Sequence, residues 1–479
     1  MATHGDVVGE EITSSAFSEA DFEAFEDRLY EETALLARWR DEGLFSEGDH
    51  MVGAELEAWL IGDDYLPRPE NAAFLERQGD PMVVPELSAF NLEFNVDPQA
   101  LEGLALRQLD DDLSRIWQGA EQTAADMDLS LMMIGILPTI KDTELTIKNM
   151  SSWERYRAIN EQLLKAREGR PIQLDIANRD ILQTNHFDVM LEAAATSFQI
   201  HLKVPASQSA HFYNASKIVS APLMAASVNS PFLFGKQLWE ETRIPLFEQA
   251  MSVGDWDYCE RVTFGVGYID DSLAECFMAN RQRYPVLLPA VVDTPPEKMS
   301  HVRMHNGTIW RWNRPLLGFD PDGTPHFRIE QRVVPAGPTI ADSIANSAFY
   351  YGLVTMVAKG DPIPVRRMPF GIARDNFYAA AKHGLDADIA WQRNSKRPVR
   401  ELILQDLLPL AEDGLRTLNI HENDIRHYLG IIRERVQSGQ TGAAWQRAFV
   451  DGYGPDMRRL SAAYLERQQT GASVHTWSL

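Results

Sequence analysis

The sequence predicts an α+β chain: a mostly antiparallel sheet with one polar face, backed by helices and followed by a helical C-terminal region. Three observations predict it. Short runs of strict period-two alternation recur between residues 53 and 333, a turn at Asp320-Pro321-Asp322-Gly323 joins two of them, and helical periodicity takes over after Thr339.

Residues 18–43 begin with Ser18 as an N-cap and Asp21 three positions on. Phe22, Phe25, Leu29, Leu35 and Leu36 then recur at helical spacing, so the segment reads as an acidic amphipathic helix. Residues 50–100 alternate between Pro and Gly punctuation and read as strands. Residues 101–128 are helical in pattern, and Leu129 to Leu137 reads as a buried strand. Helical segments dominate 153–196, residues 196–204 alternate again, and 209–252 reads as helical with a break at Asn229-Ser230-Pro231. The stretch 303–334 is strand-like. Everything from 339 to 479 reads as helical, with loops at 360–369 and 394–398. The expected organisation is an acidic helical segment (1–48), a catalytic α+β domain (49–338) and a helical region packed on it (339–479).

Composition narrows the function. Among 479 residues, 45 Lys and Arg face 69 Asp and Glu, a formal net charge of -24. A chain so acidic repels nucleic acid and anionic lipid, whose phosphates need a basic stripe. The two cysteines, Cys259 and Cys276, have no metal-site or redox spacing and build no disulfide framework. Met1 to Phe17 carries Asp6, Glu10 and Glu11 and lacks the basic and apolar regions of a secretory signal. The longest apolar runs fall far short of the ~20 residues that cross a bilayer. The expectation is a cytoplasmic protein with small-molecule substrates and neither nucleic acid nor membrane as partner.

Four alternating runs carry the chemistry. Glu55 and Glu57 share one strand face, opposite Ala54, Leu56 and Ala58. Asn91, Glu93 and Asn95 oppose Leu92, Phe94 and Val96. Ser197, Gln199, His201 and Lys203 form a third polar face, and His326, Arg328, Glu330 and Arg332 a fourth. Any one of these describes a half-buried strand with a wet side. Together they collect hard oxygen ligands, an imidazole and planar cations, the inventory of a site for Mg²⁺ and phosphate. Carboxylates crowded on one face repel unless a cation neutralises them, so a divalent metal is the simplest explanation if the strands are neighbours. The sequence contains no GxxxxGK[ST], no GxGxxG before a helix, no HExxH and no GxSxG. Nucleotide binding would therefore use metals and side chains rather than a glycine cradle.

These residues resemble the glutamate–cysteine ligase family of carboxylate–amine ligases, which has the glutamine synthetase-like fold. Glu55 and Glu57 in GAELE resemble the family's first acidic strand, and Glu86 and Glu93 in ELSAFNLEFN its second acidic pair. His201 in TSFQIHLKV resembles the histidine strand. Residues 226–243 resemble the Asn-Ser-Pro-Phe break with its following arginine, here Asn229 and Arg243. Glu330 and Arg332 in RIEQRVV, preceded by HNGTIWRWNRP with Arg314, resemble the late Glu-x-Arg strand. Residues 373–389 look like the C-terminal helical region.

The resemblance implies a curved sheet with a concave polar face. It also implies a two-step reaction with ATP and Mg²⁺ or Mn²⁺, in which glutamate is phosphorylated and an amine, cysteine by default, attacks the acyl phosphate. Metal ligands would be Glu55, Glu57, Glu86, Glu93, His201 and Glu330, and catalytic groups Glu330 and Arg332. Arg314, Arg243 and Asn229 would bind cofactor, although an ordinary salt bridge accounts equally well for either arginine. Arg155 and Tyr156 read as a helix face on the core, and Trp310 and Trp312 as packing. Three other readings stay open: a ligase of the same fold with another amine or acid, a metal-dependent hydrolase, and a non-catalytic member of the fold.

Overall fold

The computed structural model of the chain describes residues 11–12, 15–253, 260–360, 368–392 and 395–479; Cys259 lies outside them. An eight-stranded sheet is its centre. Its strands are β1 (Met51–Ile61), β2 (Val83–Pro85), β3 (Asn91–Asn95), β4 (Gln99–Ala100), β5 (Ser130–Met132), β8 (Phe198–Val204), β11 (Asn313–Phe319) and β12 (Pro325–Gln331). Between β5 and β8 the separate pair β6 (Ile172–Ala177) and β7 (Ile181–His186) forms a hairpin, and β9 (Phe232–Leu233) and β10 (Lys236–Gln237) form a short ribbon. The main order is β11-β12-β8-β1-β3-β2, with β4 and β5 also pairing with β1, every pair antiparallel. This is the curled mixed α+β architecture expected.

Long-range antiparallel pairing sets the register that matters. Arg314 lies opposite Glu330, Glu330 opposite His201, and His201 opposite Gly53. One step along, Gln199 lies opposite Glu55 and Glu55 opposite Asn95, while Glu57 faces Glu93. Because successive side chains alternate between faces, this register collects the acids of three strands on one side. The other side carries Ala54, Leu56, Leu92, Phe94, Phe198, Ile200, Phe327 and Ile329, all buried in the main core.

Helices Ser209–Ser227 and Ile340–Lys359 cover that apolar side and pack on each other. Both are buried almost all round, so their hydrophobic residues show little one-faced periodicity. Ile340–Lys359 also meets helix Leu408–Thr417 at very close range. A Cβ on Gly352 would stand 2.3 Å from the Ala411 carbonyl oxygen, and one on Gly414 2.0 Å from that of Gly352. Only glycine permits this approach. The final helix, Met457–Gln468, closes the β5 edge: Gln468 Nε2 donates to the Leu131 carbonyl at 3.0 Å, and its Oε1 accepts from the Met133 amide at 2.7 Å.

Helix Glu19–Asp41 starts as expected, with the Asp21 carboxylate accepting from the Ser18 amide and hydroxyl. Phe25, Leu29 and Leu36 are buried, and the helix packs on helices Ala274–Arg283 and Ser300–Gly307. Four local expectations are corrected. The stretch 172–186 is a hairpin, not helix, with Ile172, Leu174 and Ile176 buried and the residues between them exposed. Helix Asn71–Gln78 interrupts the strands of 50–100, and helix Ser300–Gly307 begins the segment read as strand. A small antiparallel pair, Asp388–Gln392 with Ser395–Pro398, breaks the C-terminal helices. No helix among the described residues is long and apolar enough to cross a membrane.

Candidate active site

The polar face of the sheet is not a wet face. Glu55, Glu57, Glu93, His201 and Glu330 are only 4, 8, 6, 7 and 0% exposed. They sit in and beneath a cavity bounded by the sheet, the loop after β2, the helix that starts at Glu154 and the segment around Trp310. Burying so many acids together needs compensation, and the structure divides it between two clusters.

In the first cluster Glu55, His201 and Glu330 each bring one ligand-type atom within 4.8 Å of the others. His201 Nε2 lies 3.2 Å from Glu55 Oε1 and 3.7 Å from Glu330 Oε1, is buried, and has no hydrogen-bond partner among the described residues. Glu330 meets two arginines: Arg314 Nη2 donates to its Oε1 at 2.7 Å and Arg332 Nη1 to its Oε2 at 3.0 Å. Burial alone would push the Glu330 carboxyl up, but Arg314, Arg332 and His201 together hold it well below the usual carboxylate range. Arg332 also donates to Gln199 Oε1.

The second cluster, Glu57, Glu86 and Glu93, meets the same distance criterion. Glu57 accepts from the Ser197 amide at 2.6 Å, the Ser197 hydroxyl at 2.8 Å and Gln199 Nε2 at 2.9 Å. Glu86 accepts from the Leu87 amide, and Glu93 from Asn95 Nδ2 at 3.1 Å. These contacts do not offset burial and mutual repulsion. Burial and the Glu86 charge push Glu57 up to about 7, burial raises Glu86, and burial with Glu55, Glu86 and Glu57 raises Glu93 far above its ordinary value.

The five acids and one imidazole expected as ligands therefore gather on one side of the sheet, but as two triads rather than one shell. Arg314, Arg332 and Arg243 all border the cavity. Arg243 is already engaged: its Nη2 donates to the carbonyls of Arg332 at 3.0 Å and Val334 at 3.1 Å, and its guanidinium lies over the Trp312 ring. Asn229 is a correction. It is fully buried away from the cavity lining, where its Nδ2 donates to the Ala336 carbonyl and to Tyr464 Oη, each at 2.8 Å, and its Oδ1 accepts from Gln446. Those bonds use its whole amide to join the break after helix Ser209–Ser227 to the C-terminal helices. Arg155, Tyr156, Trp310 and Trp312, read from the sequence as packing, contribute to the cavity wall. So does Glu192, which sequence reasoning missed because it stands alone in a short 3₁₀ turn, Val189–Ala194, with no periodic partner.

Comparison with known proteins bears on the family and the fold. The model of glutamate–cysteine ligase family 2 (GCS2) matches residues 51–473, from the first residue of β1 almost to the C-terminus. The chain belongs to that family. Glutamate–cysteine ligase family 2 is a family of carboxylate–amine ligases. A Trichormus variabilis protein provisionally named glutamate–cysteine ligase 2 is 28% identical over 127 residues, which are 25% of this chain and 31% of that relative's length. Two solved structures share the fold of this family member at 12% identity. The glutamate–cysteine ligase of Francisella tularensis in complex with AMP aligns with a TM-score of 0.54 over 91% of this chain and 96% of its own. A bifunctional glutathione synthetase from Pasteurella multocida aligns with a TM-score of 0.56 over 91% of this chain and 55% of its own.

Proposed function

We propose that this member of the family is an ATP-dependent carboxylate–amine ligase that forms a γ-glutamyl amide, with cysteine the default acceptor. The carrying observation is the pair of acidic triads, buried but for the half-buried Glu86, beside Arg314 and Arg332 at one cavity. A free carboxylate is a poor electrophile, so one of its oxygens first attacks the γ-phosphorus of ATP and ADP leaves. The acceptor amine then attacks the acyl carbon, loses a proton, and inorganic phosphate departs. Both steps bring anions together.

A divalent cation fits the residues present. The buried, unpartnered Nε2 of His201 faces two carboxylates, and the other triad is held at a protonation cost that a cation would remove. Glu55, His201 and Glu330 would hold one Mg²⁺ or Mn²⁺, and Glu57, Glu86 and Glu93 a second. Bound there, the metal supplies charge neutralisation for the phosphates. Arg332 offers a permanently charged planar fork to the transferring phosphoryl group, with Glu330 and Gln199 fixing its direction. Arg314 locks the far side of Glu330, so one carboxylate orients both guanidinium groups. Arg243 holds the backbone of Arg332 and Val334 in place, a positioning role.

The test is phosphate release with ATP, Mg²⁺ and glutamate against a panel of amines, with the product identified by mass. A γ-glutamyl amide and stoichiometric ADP support the ligase. Turnover without nucleotide would favour a metal-dependent hydrolase, and no turnover with any amine or acid a binding protein. A product with a different amine or acid would keep the chemistry and replace the substrate.

A further inference from the structure

Glu192 is the fifth glutamate on the cavity wall and the one that belongs to neither triad. The turn that carries it is otherwise apolar: Val189, Met190, Leu191, Ala193 and Ala194 are buried, and Glu192 alone is half-buried. Asp188 caps the turn by accepting from the Met190 amide at 3.1 Å, and Asn160 Oδ1 accepts from the Val189 amide at 3.1 Å. The backbone that aims Glu192 is therefore fixed. Among the described residues no side chain or amide donates to its carboxylate and none forms an ion pair with it. The nearby guanidinium group of Arg332 is already engaged by Glu330 and Gln199.

An acid held this way lacks a partner, and burial with the Glu86 charge pushes it up to about 8. The substrates of the proposed reaction supply the missing group. An amino acid brings an ammonium, for which the triads leave no acceptor once they hold cations. A charge-assisted hydrogen bond from ammonium to carboxylate is the complement.

We propose that Glu192 binds the ammonium group of an amino-acid substrate and so selects amino acids over acids of the same length that lack the group. This rests on the ligase reading for the substrate, though not for its binding test. The first measurement needs no turnover: the thermal shift given by glutamate is compared with that given by glutarate, for wild type and Glu192→Gln. Wild type should be stabilised more by glutamate, and the variant should lose that difference. In turnover, Glu192→Gln should raise KM for one amino-acid substrate about 10- to 100-fold while KM for ATP holds.

A rise for glutamate, with lost preference over glutarate, assigns the ammonium to the acid substrate. A rise for the acceptor alone assigns it to the amine. If the variant melts like wild type and neither KM nor the glutamate-over-glutarate shift changes, Glu192 does not read ammonium. If wild type shows the differential shift but no nucleotide-dependent amide, the ligase reading fails while the ammonium site stands.

Discussion

Glu57 and Glu93 lie directly opposite each other on the adjacent antiparallel strands β1 and β3, both buried and both facing the same cavity. Like charges at such a cross-strand position destabilise a sheet unless something neutralises them. Protons can do so, and so can a divalent cation. The two differ in their dependence on pH.

Burial raises Glu57 to about 7, and Glu86 and Glu93 are also raised. An acid with a folded pKa above its unfolded value binds more protons in the native state, so stability falls as pH rises between the two values. For Glu57 that window runs from its ordinary value of 4.5 to about 7. Chelator-treated protein should lose melting temperature progressively from pH 5 to pH 7.5, and Mg²⁺ should reduce the loss. Thermal melts across that range, with EDTA or with Mg²⁺, check this. A flat profile in EDTA means that the triad is not strained by charge.

Glu55 and Glu330 need different substitutions. Glu330 is enclosed by Arg314, Arg332 and His201, and removing one partner of a buried ion pair costs about 3–5 kcal/mol. Glu330→Ala should lower the melting temperature markedly as well as abolish Mg²⁺-dependent ATP turnover. Glu55 lies 3.2 Å from His201 and is not locked by an arginine salt bridge among the described residues, so Glu55→Gln should fold normally and still lose activity. Differential scanning calorimetry beside a phosphate-release assay separates the two. An active Glu55→Gln enzyme would remove the first triad from the mechanism.

The strands that carry these acids were legible because period two survives in a sequence whichever face is buried. Glu55, Glu57, Glu93, His201 and Glu330 each sit at alternating positions, and the register then makes them neighbours. That they would be dry was not legible, since a polar strand face reads the same in water or under a lid. The hairpin at 172–186 did carry a signal, Ile172-Leu174-Ile176 before Asn178 and Asp180, but six-residue runs beside helical segments are weak evidence. Glu192, Arg155 and the two tryptophans reach the cavity through tertiary packing of a turn, a helix and the irregular stretch before β11, which leaves no local pattern. Asn229 shows the opposite case: an Asn-Ser-Pro break looks like a ligand loop, yet the amide satisfies buried backbone.

Asn229 therefore makes a control. Its side chain bonds Ala336, Tyr464 and Gln446, and a Cβ on Gly442 would lie 2.0 Å from its Oδ1, so the amide is closely packed. Asn229→Ala strands several buried polar groups and should cost about 1–3 kcal/mol. Urea unfolding should show a lower midpoint, while KM for ATP stays at the wild-type value under conditions where the variant is folded. A raised KM for ATP with unchanged stability would return Asn229 to the nucleotide site.

Arg332 gives the sharpest test of the proposed chemistry. Its guanidinium spans Glu330 and Gln199 through one nitrogen, and the residue lines the cavity. Arg332→Lys keeps the charge that balances Glu330 but cannot direct a planar fork at a phosphoryl group. If the fork acts when charge develops on the transferring group, the loss belongs to the transition state, and kcat should fall about 10²-fold or more with KM for ATP little changed. If it serves only to neutralise Glu330, lysine should suffice and kcat should stay within a few-fold of wild type. Steady-state kinetics of Arg332→Lys beside its melting curve decide between the two, because a destabilised but fast enzyme assigns Arg332 to structure alone.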